Sequence, residues 1–117
     1  MAYFKINDTN YTEKLARYTA DLTFDQIPPQ VIERAKLMTL HTLGCTLAAQ
    51  KDELAVSSVK VGKAMNNGAG GSATVWITGE KLSPANASFV NSTVSDILDW
   101  EDCSWTGHPS ASAVPVS

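Results

Sequence analysis

The stretch Gln30-Val31-Ile32-Glu33-Arg34-Ala35-Lys36-Leu37-Met38-Thr39-Leu40-His41-Thr42-Leu43-Gly44-Cys45-Thr46-Leu47-Ala48-Ala49-Gln50 decides the fold. Val31, Ala35 and Met38 mark one stripe at helical spacing, and Leu37, Leu40, Gly44 and Leu47 mark a second. A helix apolar on more than one side is expected to be buried. Gly44 in its interior costs about 1 kcal/mol against alanine, which points to a close helix crossing there. Just upstream, Ile27-Pro28-Pro29 stops an incoming helix and preorganises the first turn of this one.

Outward from that element the pattern stays helical. Asn10 and Glu13 have the spacing of a capping pair, and Tyr11, Leu15, Tyr18 and Leu22 follow on one face. A third helix is expected from Asp52 to Met65, with Leu54, Ser58, Val61 and Met65 on one side. Asn66-Asn67-Gly68-Ala69-Gly70-Gly71-Ser72 interrupts it. The glycines there do not form a phosphate loop: the Lys-Ser/Thr pair is missing and the helix-then-strand order is reversed.

Ala73 to Thr78 reads as a short strand closed by a turn at Gly79-Glu80. Ser83-Pro84 supplies a cap and a first-turn proline for a fourth helix reaching Leu98, with Phe89, Val90, Val94, Ile97 and Leu98 inward. The run from Ser110 to Ser117 has the look of the first turns of another helix, too short to pack as a full element. The expected architecture is all-α: one partial helical domain over 1–117, with one extended segment near 73–78.

Composition excludes several function classes. An apolar fraction of 44% with 18% charged residues is that of a folded globular chain. A formal charge of −3, with scattered lysines and arginines, leaves no footprint for nucleic acid or an anionic membrane. No apolar run reaches the roughly 20 residues that span a bilayer, and the first eight residues lack a signal-peptide layout. Two cysteines make no disulfide framework, so a reducing, cytoplasmic compartment is expected. In that compartment the Asn-x-Ser/Thr triplets at Asn7, Asn10, Asn86 and Asn91 are chance matches.

The chemistry concentrates in Asp99-Trp100-Glu101-Asp102-Cys103-Ser104-Trp105-Thr106-Gly107-His108-Pro109-Ser110. His108 precedes a helix start, where free N–H groups favour an anion, and an imidazole there can bind a carboxylate or exchange a proton. Alternatively it caps the helix. Asp99, Glu101 and Asp102 fit a solvated acidic turn, a weak cation site, or an orienting partner for His108. Trp100 and Trp105 then limit water access or simply pack. His41 and Cys45 have the spacing of a two-ligand metal half-site, but with no third ligand nearby in sequence the expectation is packing and no metal.

In order along the chain, Leu22-Thr23-Phe24-Asp25-Gln26-Ile27-Pro28-Pro29, Leu40-His41-Thr42-Leu43-Gly44-Cys45-Thr46-Leu47-Ala48, Ala73-Thr74-Val75-Trp76, Ala87-Ser88-Phe89-Val90-Asn91, Leu98-Asp99-Trp100-Glu101-Asp102 and His108-Pro109-Ser110 resemble the N-terminal part of the MmgE/PrpD family. That family includes 2-methylcitrate dehydratase, cis-aconitate decarboxylase and iminodisuccinate epimerase. The resemblance implies a share of a large helical domain, a dimeric enzyme without cofactor, and di- or tricarboxylate substrates. It also implies proton transfer next to a carboxylate, leading to dehydration, decarboxylation or epimerisation.

By that resemblance His108 and Asp99 are the catalytic candidates, and Asp102, Cys103, Ser104 and Ser110 the substrate-binding ones. The chain departs from the family pattern at Cys103, Glu101, Ser92, Asp96 and His41, and the family's downstream lysine, histidine and tyrosine are absent. The expectation is therefore a small subunit or N-terminal fragment of a cofactor-free lyase or isomerase. A second chain, a homo-oligomer, or both would complete it. The alternatives are a non-catalytic interaction or regulatory subunit on the same scaffold, and a truncated or degenerate chain.

Overall fold

A computed structural model describes residues 10–104 and 107–117. The reading of the first eight residues, the Asn7 triplet and the role of Trp105 lie outside the described residues. The chain divides into two compact units, Met1–Glu33 and Arg34–Ser117. Helix α1 (Tyr11–Asp21) belongs to the first. Its cap is the one the spacing predicts: Asn10 Oδ1 accepts the Glu13 N–H at 3.1 Å. The apolar stripe of α1 is solvent-facing, with Tyr11, Leu15 and Tyr18 all exposed. A 3₁₀ turn, Phe24–Gln26, follows.

Helix α2 (Pro29–Ala48) begins at the second proline, as expected. Its C-terminal half buries Thr42, Cys45 and Thr46, and Ala49 just beyond its end is buried as well. The expected burial on several sides is not found: Val31, Leu37, Leu40 and Leu47 are at least half exposed. Periodicity reports that a stripe is apolar, not which element covers it, and residues 34–117 cover only one stripe of α2. Gly44 likewise marks no crossing among the described residues, since a methyl group there would meet nothing within 4 Å.

The close approach falls instead in α3 (Glu53–Asn66), whose N-cap Asp52 accepts the Leu54 N–H at 2.8 Å. A Cβ on Gly62 would come within 2.4 Å of Val90 Cγ2. The buried face of α3 is Ala55, Ser58, Gly62 and Asn66, which shares only Ser58 with the expected stripe. Small residues let α3 lie against α4 (Pro84–Asp96), whereas Leu54, Val61 and Met65 turn outward.

The strand expected over 73–78 is only β1 (Ala73–Thr74), paired antiparallel with β2 (Lys81–Leu82). The chain leaves extended conformation at Val75. Gly79, at φ +74°, returns its N–H to the Val75 carbonyl at 2.8 Å and closes the turn early. Buried Asn91 on α4 then takes the place of a neighbouring strand, accepting from Trp76 N–H and donating to Thr74 O, both at 3.0 Å.

Val75, Leu82, Ala87, Val90 and Val94 form the core with Ala49 and Ala55. Ile97 and Leu98 pack at its edge, and Phe89, expected inside, is 42% exposed. Helix α5 (Pro109–Val116) docks on α4. Pro115 within it has no N–H for the Ala111 carbonyl, and Ser95 Oγ on α4 supplies that bond at 3.4 Å. The fold of the described residues is thus mainly α with one two-stranded hairpin, and no described helix is long and apolar enough to cross a membrane.

Candidate functional site

Helix α4 ends at Asp96, and the chain then makes a tight strap across 97–103 before entering α5. Asp99 sits in that strap at φ +55°, in the left-handed region where aspartate is tolerated better than most residues. The bend sends successive side chains to different neighbours. Those of Asp96 and Asp99 reach His108, that of Glu101 reaches α2, and that of Asp102 reaches the start of α5.

His108 occupies the N-cap position of α5 but its side chain caps nothing. Its Nδ1 lies 2.5 Å from Asp96 Oδ1 and its Nε2 lies 3.3 Å from Asp99 Oδ1. A ring protonated on both nitrogens would donate from Nδ1 to Asp96 and carry positive charge facing Asp99. The hydrogen bond that His108 makes to Asp96 is the main influence raising the His108 pKa above its ordinary value. Partial burial opposes the rise, and the charges of Asp96, Asp99 and Asp102 add to it. The Asp99 side chain is 87% exposed and makes the longer contact, so it is the partner free to leave.

Of the residues expected from sequence, His108 and Asp99 are therefore together. The cap role considered for His108 falls to Asp102, whose Oδ1 accepts the Ser110 N–H at 2.9 Å. Hydrogen bonding from the Ser110 side chain is the main influence holding the Asp102 carboxyl below its ordinary range, and the Ser110 backbone N–H adds to it. Ser110 itself is buried. Ser104 pairs with Gly107 through two backbone hydrogen bonds, Ser104 N–H to Gly107 O at 2.9 Å and Gly107 N–H to Ser104 O at 3.1 Å. Cys103 is an exposed free thiol. Sequence reasoning missed Asp96 as a partner of His108. Its spacing of three from Asp99, one helical turn, was the available signal.

The strap also faces α2. Thr42 Oγ1 donates to Glu101 Oε2 at 3.2 Å, and His41 Nε2 lies 2.8 Å from the Trp100 carbonyl oxygen. A cleft of about 320 Å³ opens beside them, lined by Arg34, Leu37, Met38, His41, Trp100, Glu101 and Asp102. A larger cleft, about 420 Å³, lies between α3 and the hairpin turn, lined by Val56, Val59, Lys60, Lys63 and Ile77 among others. It holds none of the clustered histidines and carboxylates, so size alone does not locate the chemistry here.

The helical scaffold thus places a histidine between two aspartates at the start of a short helix. Residues 13–117 match the MmgE/PrpD N-terminal domain, and the chain belongs to the MmgE/PrpD family. Comparison with curated proteins and with solved structures returns no match.

Proposed function

We propose that residues 1–117 supply the N-terminal share of an MmgE/PrpD-like lyase or isomerase, acting on di- or tricarboxylates in the cytoplasm without a redox cofactor. The observation that carries this reading is His108 held between Asp96 and Asp99 at 2.5 and 3.3 Å. Asp96 positions the ring through Nδ1. When the exposed Asp99 side chain swings away, Nε2 is left to meet a substrate carboxylate or to exchange the proton beside one. General acid–base assistance of this kind is worth about 10²- to 10⁴-fold in rate.

Charge argues that the site is completed from elsewhere. His108 is faced by three carboxylates, Asp96, Asp99 and Asp102, and a polycarboxylate substrate needs more positive charge than one imidazolium offers. The uncovered Leu37, Leu40 and Leu47 of α2 and the uncovered Leu54, Val61 and Met65 of α3 fit a helical partner surface. A second chain bearing the rest of the family fold, joined in an oligomer, satisfies both needs. Cys103, Ser104 and Ser110 are then substrate-facing only in that assembly.

The test is co-expression with a family-like chain, followed by NMR of solvent deuterium exchange at the carbon next to a substrate carboxylate. His108→Ala should remove exchange and Asp96→Asn should reduce it at least tenfold. Exchange indifferent to His108→Ala would refute the catalytic assignment. A monodisperse monomer that ignores every family-like chain would refute the shared assembly.

A further inference from the structure

We propose that His41, Cys45 and Glu101 form a zinc site, separate from the His108 cluster and independent of the function proposed above. Cys45 and His41 are four residues apart on one face of α2, and Glu101 arrives from the strap after α4. One donor atom from each lies within 4.8 Å of the other two. His41 Nε2 is 3.6 Å from Cys45 Sγ and 4.0 Å from Glu101 Oε2. Tetrahedral zinc with bonds of about 2.0–2.3 Å sets its ligand atoms roughly 3.3–3.8 Å apart, so small side-chain adjustments close the set.

A second observation points to a cation. Glu101 is 5% exposed, and its Oε1 is fully buried with no hydrogen-bond partner among the described residues. A buried carboxylate oxygen without a partner is costly and needs an explanation. A metal ion between Glu101, the thiol and the imidazole supplies one. Thr42 Oγ1 donates to Oε2, the oxygen nearer the imidazole, and so fixes the carboxylate as outer-sphere groups do around metals. The imidazole, thiolate and carboxylate set is borderline-soft and suits zinc rather than magnesium or calcium. His41 has 45% of its side chain exposed and lines the 320 Å³ cleft, which gives the ion an entry path.

Binding balances simply. Nε2 now faces the Trp100 carbonyl, an acceptor, so it carries the ring proton. Zinc takes the Nε2 lone pair as that proton moves to Nδ1, and it displaces one proton from Cys45 to solvent.

The experiment titrates the metal-free chain with zinc against a chromophoric chelator, and with cobalt(II) as a spectroscopic probe. The expected result is one equivalent bound, with tetrahedral cobalt absorption and a thiolate-to-cobalt charge-transfer band. Cys45→Ser should abolish the band, and His41→Ala and Glu101→Gln should each weaken zinc binding at least tenfold. Cys103→Ser, at the exposed thiol, should change neither. Circular dichroism of the metal-free variants checks that they fold. If Cys45→Ser does not fold, the band's persistence in Cys103→Ser still assigns the sulfur to Cys45. No thiolate band, or a band that disappears with Cys103, would overturn the proposal.

Discussion

Gly62→Ala tests the packing that positions the site, because Gly62 of α3 lies directly against Val90 of α4. A methyl at position 62 would sit 2.4 Å from Val90 Cγ2, 3.5 Å from Leu82 Cδ1 and 3.6 Å from the Asn86 carbonyl oxygen. Carbon atoms in good contact stand about 3.5–4.0 Å apart, so the Val90 contact overlaps by about 1 Å. Val90 has no free space to retreat into, being fully buried, and a β-branched side chain has few χ1 alternatives. Overpacking of this size costs about 1–3 kcal/mol. Replacing glycine within a helix returns about 0.5–1 kcal/mol.

Taking the middle of both ranges, the net expectation is a loss of about 1 kcal/mol, read by urea denaturation. In a unit the size of 34–117 each kcal/mol moves Tm by roughly 4–8 °C. Val90→Ala in the same chain makes room for the new methyl, so the double variant should be at least 1 kcal/mol more stable than the two single losses added together. A Gly62→Ala protein as stable as its parent, or strict additivity in the cycle, would refute this account of the α3–α4 contact.

The opposite result is expected at Gly44, where a methyl meets nothing: Gly44→Ala should stabilise the isolated chain by about 0.5–1 kcal/mol. The same variant should weaken association with a family-like partner if that face of α2 is the one covered, which a pull-down titration measures. For His108 the sign of the pH effect follows from its raised pKa. The ion pair stabilises the fold fully below the unfolded value of about 6.5 and loses that contribution as pH rises through the raised folded value. Imidazole NMR should show Asp96→Asn lowering the His108 pKa more than Asp99→Asn does, and equal shifts would contradict the primacy of Asp96. Asn91→Ala removes two buried hydrogen bonds to the hairpin and should cost about 2–4 kcal/mol, with loss of hydrogen-exchange protection at Trp76.

Local signals carried well from sequence to structure. Asn10 and Ser83 cap their helices as expected, accepting from Glu13 and Asn86, and Asp52, expected as the first residue of the third helix, proves to be its cap, accepting from Leu54. The proline starts at Pro29 and Pro84 hold as well. What periodicity could not supply was the choice between adjacent stripes. On α3 the large residues Leu54, Val61 and Met65 outscore Ala55 and Gly62, yet the small ones face α4 because only they permit the approach. The strand failed for a related reason: Val75, Trp76 and Ile77 are good strand formers, but Asn91, fifteen or more residues away, accepts from Trp76 N–H and donates to Thr74 O, so the segment turns instead of continuing the strand.

The same limit explains the candidate sites. His41 and Cys45 are visible as a pair because four residues is one helical turn, but Glu101 lies 59 residues beyond Thr42, its hydrogen-bond donor, and no local pattern connects them. The joining device is the strap. Aspartate at φ +55° turns the chain so that residues 99, 101 and 102 serve three different neighbours within four positions. A regular helix through 96–102 would put Asp96, Asp99 and, one turn on, Asp102 and Cys103 on a common side. It would bring Glu101 to α2 only at the expense of the others. The left-handed residue is thus what separates the His108 site from a thiol-bearing one along a single short segment. A change at Asp99 that disfavours that conformation should disturb both sites together, whereas one that merely removes its charge, with asparagine keeping the bend, should disturb the His108 site alone.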